Sequence, residues 1–177
     1  MASLDSPVVQ ESMRLLKLLS TAALVGSVCA GTIAGTGKAR MVTVKIWRVA
    51  QVDNLDKGDQ LKADRADFYA LVKIGNGQLV RSTNHSDDDG HPGWEFYGEA
   101  SGRYVPIRIK INDDDGGLEE QDDYVDVSPV SNKKDINVTY DTKTGRISGD
   151  VRGRRGQIIY TIGHGDNDKG KLWFSIK

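Results

Sequence analysis

The chain has few of the residues that carry nucleophilic or soft-metal chemistry: 177 residues include one cysteine and three histidines. A single cysteine excludes an intramolecular disulfide. His85 and His91 stand six residues apart across a loop containing Pro92 and Gly90, which is no metal-ligand spacing, and His164 sits in the turn-like GHGDND. No serine occupies a nucleophile-elbow motif. Abundant carboxylates leave a glycosidase pair open by count. An acid–base pair needs one desolvated, proton-holding member, however, and aspartate strings beside glycine read as hydrated. The expectation is a protein that is not an enzyme. The chain also lacks a basic excess, with 24 Lys+Arg against 25 Asp+Glu. An acidic central half argues against nucleic acid as a partner. After residue 40 it lacks any amphipathic helix longer than about two turns.

Apolar runs are short. Leu18 to Val28 follows Arg14 and Lys17 and precedes Val28-Cys29-Ala30, with small residues where a signal peptidase reads. That run cannot span a bilayer, so residues 1–30 are expected to be an N-terminal extension and cleaved signal peptide. The stretch before Met13 has no basic residue and fits a leader poorly. Val28 and Gly26 make a poor lipobox around Cys29. Cleavage after Ala30 removes the only cysteine and leaves 147 residues, Gly31 to Lys177, enough for one self-sufficient core. The expected product is secreted, periplasmic or extracellular, with residues 31–40 as linker and 41–177 as the folded domain.

What the chain has is alternation. VTVKIWRV (42–49), FYALVKI (68–74), WEFYG (94–98), YVPIRIKI (104–111), DINVTY (135–140), GRISGDV (145–151), QIIYTI (157–162) and KLWFSI (171–176) each carry period-two patterning between turn-forming clusters. Eight or more such strands imply an all-β antiparallel sandwich. Pro106, inside a strand pattern, is expected at an edge or bulge. Trp47, Trp94 and Trp173 fall in strand patterns and are expected in the core.

The acids are concentrated. Asp113 to Asp126 holds eight carboxylates in fourteen residues, and Asp53, Asp56, Asp59, Asp64 and Asp67 lie between the first two strand patterns. Like charges so close repel unless water screens them or a cation sits among them. Calcium takes six to eight oxygens, which two facing aspartate loops supply. An EF-hand does not fit, because a loop starting at Asp113 puts Leu118 at the glycine position and Tyr124 at the bidentate glutamate position.

In this order the motifs resemble those of a C2 domain. VTVKIWRVAQVDNL is similar to the family's first strand and first calcium loop. ADFYALVKI resembles its Ser-Asp-Pro-Tyr-Val strand with Phe68 replacing the proline. RSTN followed by HPGWEF resembles the Lys/Arg-Thr stretch and the Asn-Pro-x-Trp-x-x-x-Phe signature. VPIRIKINDDD resembles the strand entering the third loop, and DDYVDVSP its exit. The resemblance covers residues 42–129, with KLWFSIK as closing strand; residues 130–156 have no counterpart and read as an inserted hairpin. It implies a C2-like β-sandwich that binds Ca²⁺ through Asp59, Asp67, Asp113, Asp115 and Asp123. Asp56, Asp64 and Asp122 are substitutes, because both loops run about two residues long. It implies calcium-dependent attachment to a phospholipid membrane or a protein partner, as a monomer, with Leu61 and Leu118 as membrane-contacting tips. The alternative is a calcium-stiffened extracellular sandwich that binds carbohydrate or protein without lipid affinity. The basic turn Arg152 to Arg155 is a separate candidate for holding phosphate or a polyanion.

Overall fold

Among the described residues, twelve β-strands build two antiparallel sheets. The computed structural model describes residues 39–52, 66–87, 90–114, 122–165 and 168–177. The expected signal segment and nearly all of the linker, along with Asp59, Asp115, Leu61 and Leu118, lie outside them. The strands are β1 (Arg40–Gln51), β2 (Asp67–Ile74), β3 (Leu79–Arg81), β4 (Ser86–Asp87), β5 (Trp94–Ala100), β6 (Tyr104–Asp113), β7 (Tyr124–Val125), β8 (Ile136–Asp141), β9 (Arg146–Gly149), β10 (Gly153–Arg154), β11 (Ile159–Ile162) and β12 (Gly170–Ile176). One sheet runs β11-β12-β1-β5. The other runs β10-β9-β8-β6-β2-β3, with β4 on β2 and β7 on β6. All eight long period-two segments are strands. The all-β antiparallel sandwich expected from alternation is the observed fold, and the described residues contain no helix.

Alternation decides what is inside. In β6, Val105, Ile107, Ile109 and Ile111 are buried while Tyr104, Pro106 and Arg108 face water. Across the core they meet Val44, Ile46, Phe96, Leu172 and Phe174 of the other sheet. Each such side chain contributes about 1.5–3 kcal/mol on burial. The sheets come close at Gly98, where a Cβ would lie 2.6 Å from that of Ile74. β1 breaks register between Ile46 and Arg48. Trp47 falls on the outer face with Thr43 and Lys45, half-buried and donating from Nε1 to Ser175 Oγ at 3.0 Å, and the bulge brings Val49 back into the core. Trp173 is half-buried as well; among the three tryptophans only Trp94 is core.

Pro106 is neither at a sheet edge nor at a bulge. It sits in β6, opposite Thr139 of β8. Its carbonyl accepts from Gly75 N at 2.7 Å, just past the last β2 residue. The proline nitrogen faces that same side, beyond the end of the β2 ladder, where no strand donor is needed.

Residues 130–156 extend the second sheet rather than project from it. β8 pairs along β6 from Ile109↔Ile136 to Tyr104↔Asp141, and β9 and β10 follow. Ile136, Tyr140 and Ile147 enter the common core. The join between β8 and β9 is tight at Gly149, whose φ is +122° and whose Cβ would stand 2.6 Å from Asn137 O. Replacing Gly149 with Ala should therefore destabilise the domain by about 2 kcal/mol or more. A urea-unfolding midpoint measured on both proteins checks this, and an unchanged midpoint would mean the join relaxes freely.

Candidate functional site

The start of β2 and the end of β6 are neighbours, although their residues stand far apart in sequence. Phe68 pairs with Asp113 and Tyr69 with Asn112. β7 pairs on the other side of β6, Asn112↔Tyr124. The two acidic connections, 53–65 and 115–121, therefore leave from adjacent points at one pole of the sandwich.

Asp113 organises that pole. It is 2% exposed, and its Oδ1 accepts from Asp67 N–H at 2.7 Å. Its own N–H donates to Asp123 O at 2.9 Å, and Asp114 N–H donates to Asp67 O at 3.2 Å. A buried carboxylate needs such donors to remain charged. Three of the five expected ligands, Asp67, Asp113 and Asp123, are thus held together by hydrogen bonds. Asp59 and Asp115 lie outside the described residues.

Other acids here are satisfied within the protein. Asp114 Oδ2 lies 2.9 Å from the Arg81 guanidinium and 3.0 Å from His85 Nε2. Asp122 Oδ2 accepts from Tyr69 O–H at 2.6 Å. The Arg81 guanidinium stacks 3.6 Å above the Tyr69 ring, so one cation ties β3, β2 and the β6 exit. Asp126 is structural. It is buried, with Oδ1 accepting from Ser128 N–H at 3.0 Å and Oδ2 from Gly165 N–H at 2.7 Å. Its carbonyl accepts from Gly170 N–H at 2.8 Å, and its N–H donates to Asp168 O at 2.7 Å. It thereby fastens the β11–β12 connection to the same pole.

The carboxylates of Asp67 and Asp123 differ from these. Both residues are exposed, and neither side chain has a partner among the described residues. They are the oxygen donors at this pole that the described residues leave open to solvent. No group of three or more metal-binding side chains is assembled among the described residues. Asn112 Oδ1 is buried without a hydrogen-bond partner among the described residues. It belongs to the opposite face of β6 from Asp113, because successive strand residues alternate.

Sequence reasoning left Tyr69, Arg81 and Asp126 without roles. The signal for the first two is visible afterwards. Tyr69 shares a β2 face with Leu71, which stands opposite Arg81 in the ladder, and an outward tyrosine beside an arginine invites stacking. Nothing in composition marks Asp126, because its donors arrive from residues 128 and 165.

No family model matches the chain, and no curated protein matches it. Among solved structures, it aligns with human GIVD cytosolic phospholipase A2 in complex with methyl gamma-linolenyl fluorophosphonate at 18% identity and a TM-score of 0.43, over 78% of this chain and 16% of that one. The chain thus spans about a sixth of that enzyme's length. The C2A domain of plant Extended Synaptotagmin 1 aligns at 13% identity and a TM-score of 0.47, over 77% of this chain and 91% of that one. Extended-Synaptotagmin 2, C2A- and C2B-domains, calcium bound, aligns at 13% identity and a TM-score of 0.45, over 77% of this chain and 44% of that one. At these identities and scores the likenesses decide nothing about what this chain binds.

The Tyr69 contact has a pH signature. Burial, then the hydrogen bond to Asp122 and the charge of Asp122, push the phenol from 10.0 up to about 12, against the opposing pull of Arg81. Its folded pKa exceeds the unfolded value, so its contribution is complete below pH 10 and is lost as pH rises toward about 12. Wild-type stability should accordingly fall over that window, and Tyr69→Phe should flatten the fall. Denaturation at stepped alkaline pH checks this; identical slopes would place Tyr69 outside the network.

Proposed function

We propose that the protein is a C2-like module that binds Ca²⁺ at the acidic pole and attaches, in the ion's presence, to a phospholipid membrane or a protein partner. The observation that carries the reading is the Asp67–Asp113 hydrogen bond at 2.7 Å, which joins the stems of two acidic connections separated by 46 residues. The order of motifs along residues 42–129 supports it. So does the exposure of Asp67 and Asp123, the carboxylates with the least internal satisfaction. Asp59 and Asp115 complete the proposed set. A bound ion supplies positive charge that relieves repulsion and bridges to an anionic group on a partner.

In this reading Asp113 acts mainly as the post between the loops. Its replacement should disturb the metal-free fold, so the exposed pair gives the cleaner test. Saturating Ca²⁺ at a hundredfold excess over Kd adds about 2.7 kcal/mol of stability. The wild-type Tm should therefore rise several degrees between chelator and millimolar Ca²⁺. Asp67→Asn with Asp123→Asn should abolish that rise while leaving the chelator Tm close to the wild-type value. A wild-type Tm indifferent to Ca²⁺ would overturn the proposal.

The partner class follows from one further measurement. Calcium-dependent co-sedimentation with phosphatidylserine vesicles supports lipid attachment through Leu61 and Leu118. Calcium binding without sedimentation favours the stiffened carbohydrate- or protein-binding sandwich. We read the protein as a binding module rather than an enzyme, exported after cleavage behind Ala30. Terminal sequencing of the exported product should then begin at Gly31; retention of the leader inside the producing cell would overturn the export.

A further inference from the structure

Away from the acids, the second sheet carries a groove of about 780 Å³ on its outer face. Its rim and floor include Arg103, Tyr104, Arg146, Ser148, Arg152 and Arg154. It lies on β8, β9 and β10 and the start of β6, in the segment for which the C2 resemblance offers no counterpart. Tyr104 and Asp113 are the two ends of β6, so about 30 Å of strand separates the groove's β6 edge from the acidic pole.

The arginines are arranged against their own electrostatic interest. Arg154 stands directly opposite Arg146 in the β9–β10 ladder, and like charges facing across a ladder destabilise it. Neither they nor Arg152 forms an ion pair or side-chain hydrogen bond with any described residue. Among the described residues no nearby acid is free to compensate, although Asp141 lines the groove. Asp141 accepts from Arg103 Nη2 at 2.8 Å and from the N–H groups of Lys143 and Thr144, which holds its carboxyl well below the usual carboxylate range. Asp135 is taken by Arg108, Asp150 by Lys133 and Asp168 by Lys134.

The frame is braced from behind. Arg155 points the other way, donating to Tyr140 Oη at 2.6 Å and to Thr142 O at 2.8 Å. Gly156 N–H donates to Ile176 O at 2.8 Å, which ties the turn after β10 to the end of β12. Ile147, between Arg146 and Ser148, is anchored in the core. Three uncommitted guanidinium groups are thus presented on a fixed surface, with the Ser148 hydroxyl among them. The groove's volume falls in the range of small-molecule sites and exceeds what one phosphate fills.

We propose that this groove binds a small, multiply phosphorylated anion through Arg146, Arg152 and Arg154. Guanidinium forks match phosphate oxygens two at a time, and two or more phosphates on one scaffold neutralise the facing arginines together. Such a scaffold occurs free in solution and as a lipid headgroup. Binding here needs no calcium and stands apart from the acidic pole.

The test titrates the full chain with inositol trisphosphate by calorimetry in the presence of chelator. A parallel flotation assay uses phosphatidylcholine vesicles with or without phosphatidylinositol bisphosphate. Wild type should bind the trisphosphate, and Arg146→Ala with Arg154→Ala should weaken binding by about tenfold or more. The corresponding double lysine variant, which keeps the charge but loses the fork, should fall between them with an unchanged Tm. Binding of both probes assigns a headgroup; binding of the free trisphosphate alone assigns a soluble ligand. The proposal is overturned if wild type binds neither, or if both variants bind like wild type. It is equally overturned if the variants only aggregate more, which would make the arginines guards of an edge strand. Capture by sulfated oligosaccharide without trisphosphate binding would also overturn it.

Discussion

The pairing of β2 with β6 is the constraint on which the acidic pole depends. Seven rungs, from Phe68↔Asp113 to Ile74↔Ile107, fix the register. A one-residue slip would turn Ile107, Ile109 and Ile111 out of the core. The apolar face thus determines where the charged ends lie. Asp113, at the last rung, places a carboxylate where burial would be costly alone, and the Asp67 N–H offsets that cost. Hydrophobic register and ionic placement are consequently one event.

That coupling changes the meaning of an acidic run. Eight carboxylates in fourteen residues suggest unrelieved repulsion, yet the described members are treated differently by the fold. Asp113 holds a strand start, Asp114 meets Arg81, Asp122 meets Tyr69, and Asp126 fastens a distant turn. Asp123 is left at the surface, together with Asp67 from the other connection. The proposed calcium site draws on the acids that the protein does not use itself.

Much of the sandwich was legible because period-two alternation is a direct imprint of a half-buried strand. β3, β4, β7 and β10 were not, since two or three residues are too few to alternate. Pro106 misled because its position in a strand says less than the side its nitrogen faces. Trp47 misled because its size suggests core, whereas the alternation of Val42, Val44 and Ile46 puts it on the outer face. The convergence of Asp67 and Asp113 followed from the motif order. The difference between Asp123 and Asp126 did not, because both are aspartates three residues apart and only the arrival of Ser128 and Gly165 donors separates them. Residues 130–156 read as an inserted hairpin because their partner, the edge of β6 opposite β2, is open only up to where β7 begins.

β6 has one further consequence. Its C-terminal end enters the acidic pole and its N-terminal end opens on the arginines, while the whole chain carries a formal charge of −1. The described domain therefore separates charge of opposite sign along its central strand. Near any charged surface it experiences a torque before it experiences a net attraction. Added salt would erase that alignment within about 10 Å at 0.1 M, so ionic strength governs which end arrives first.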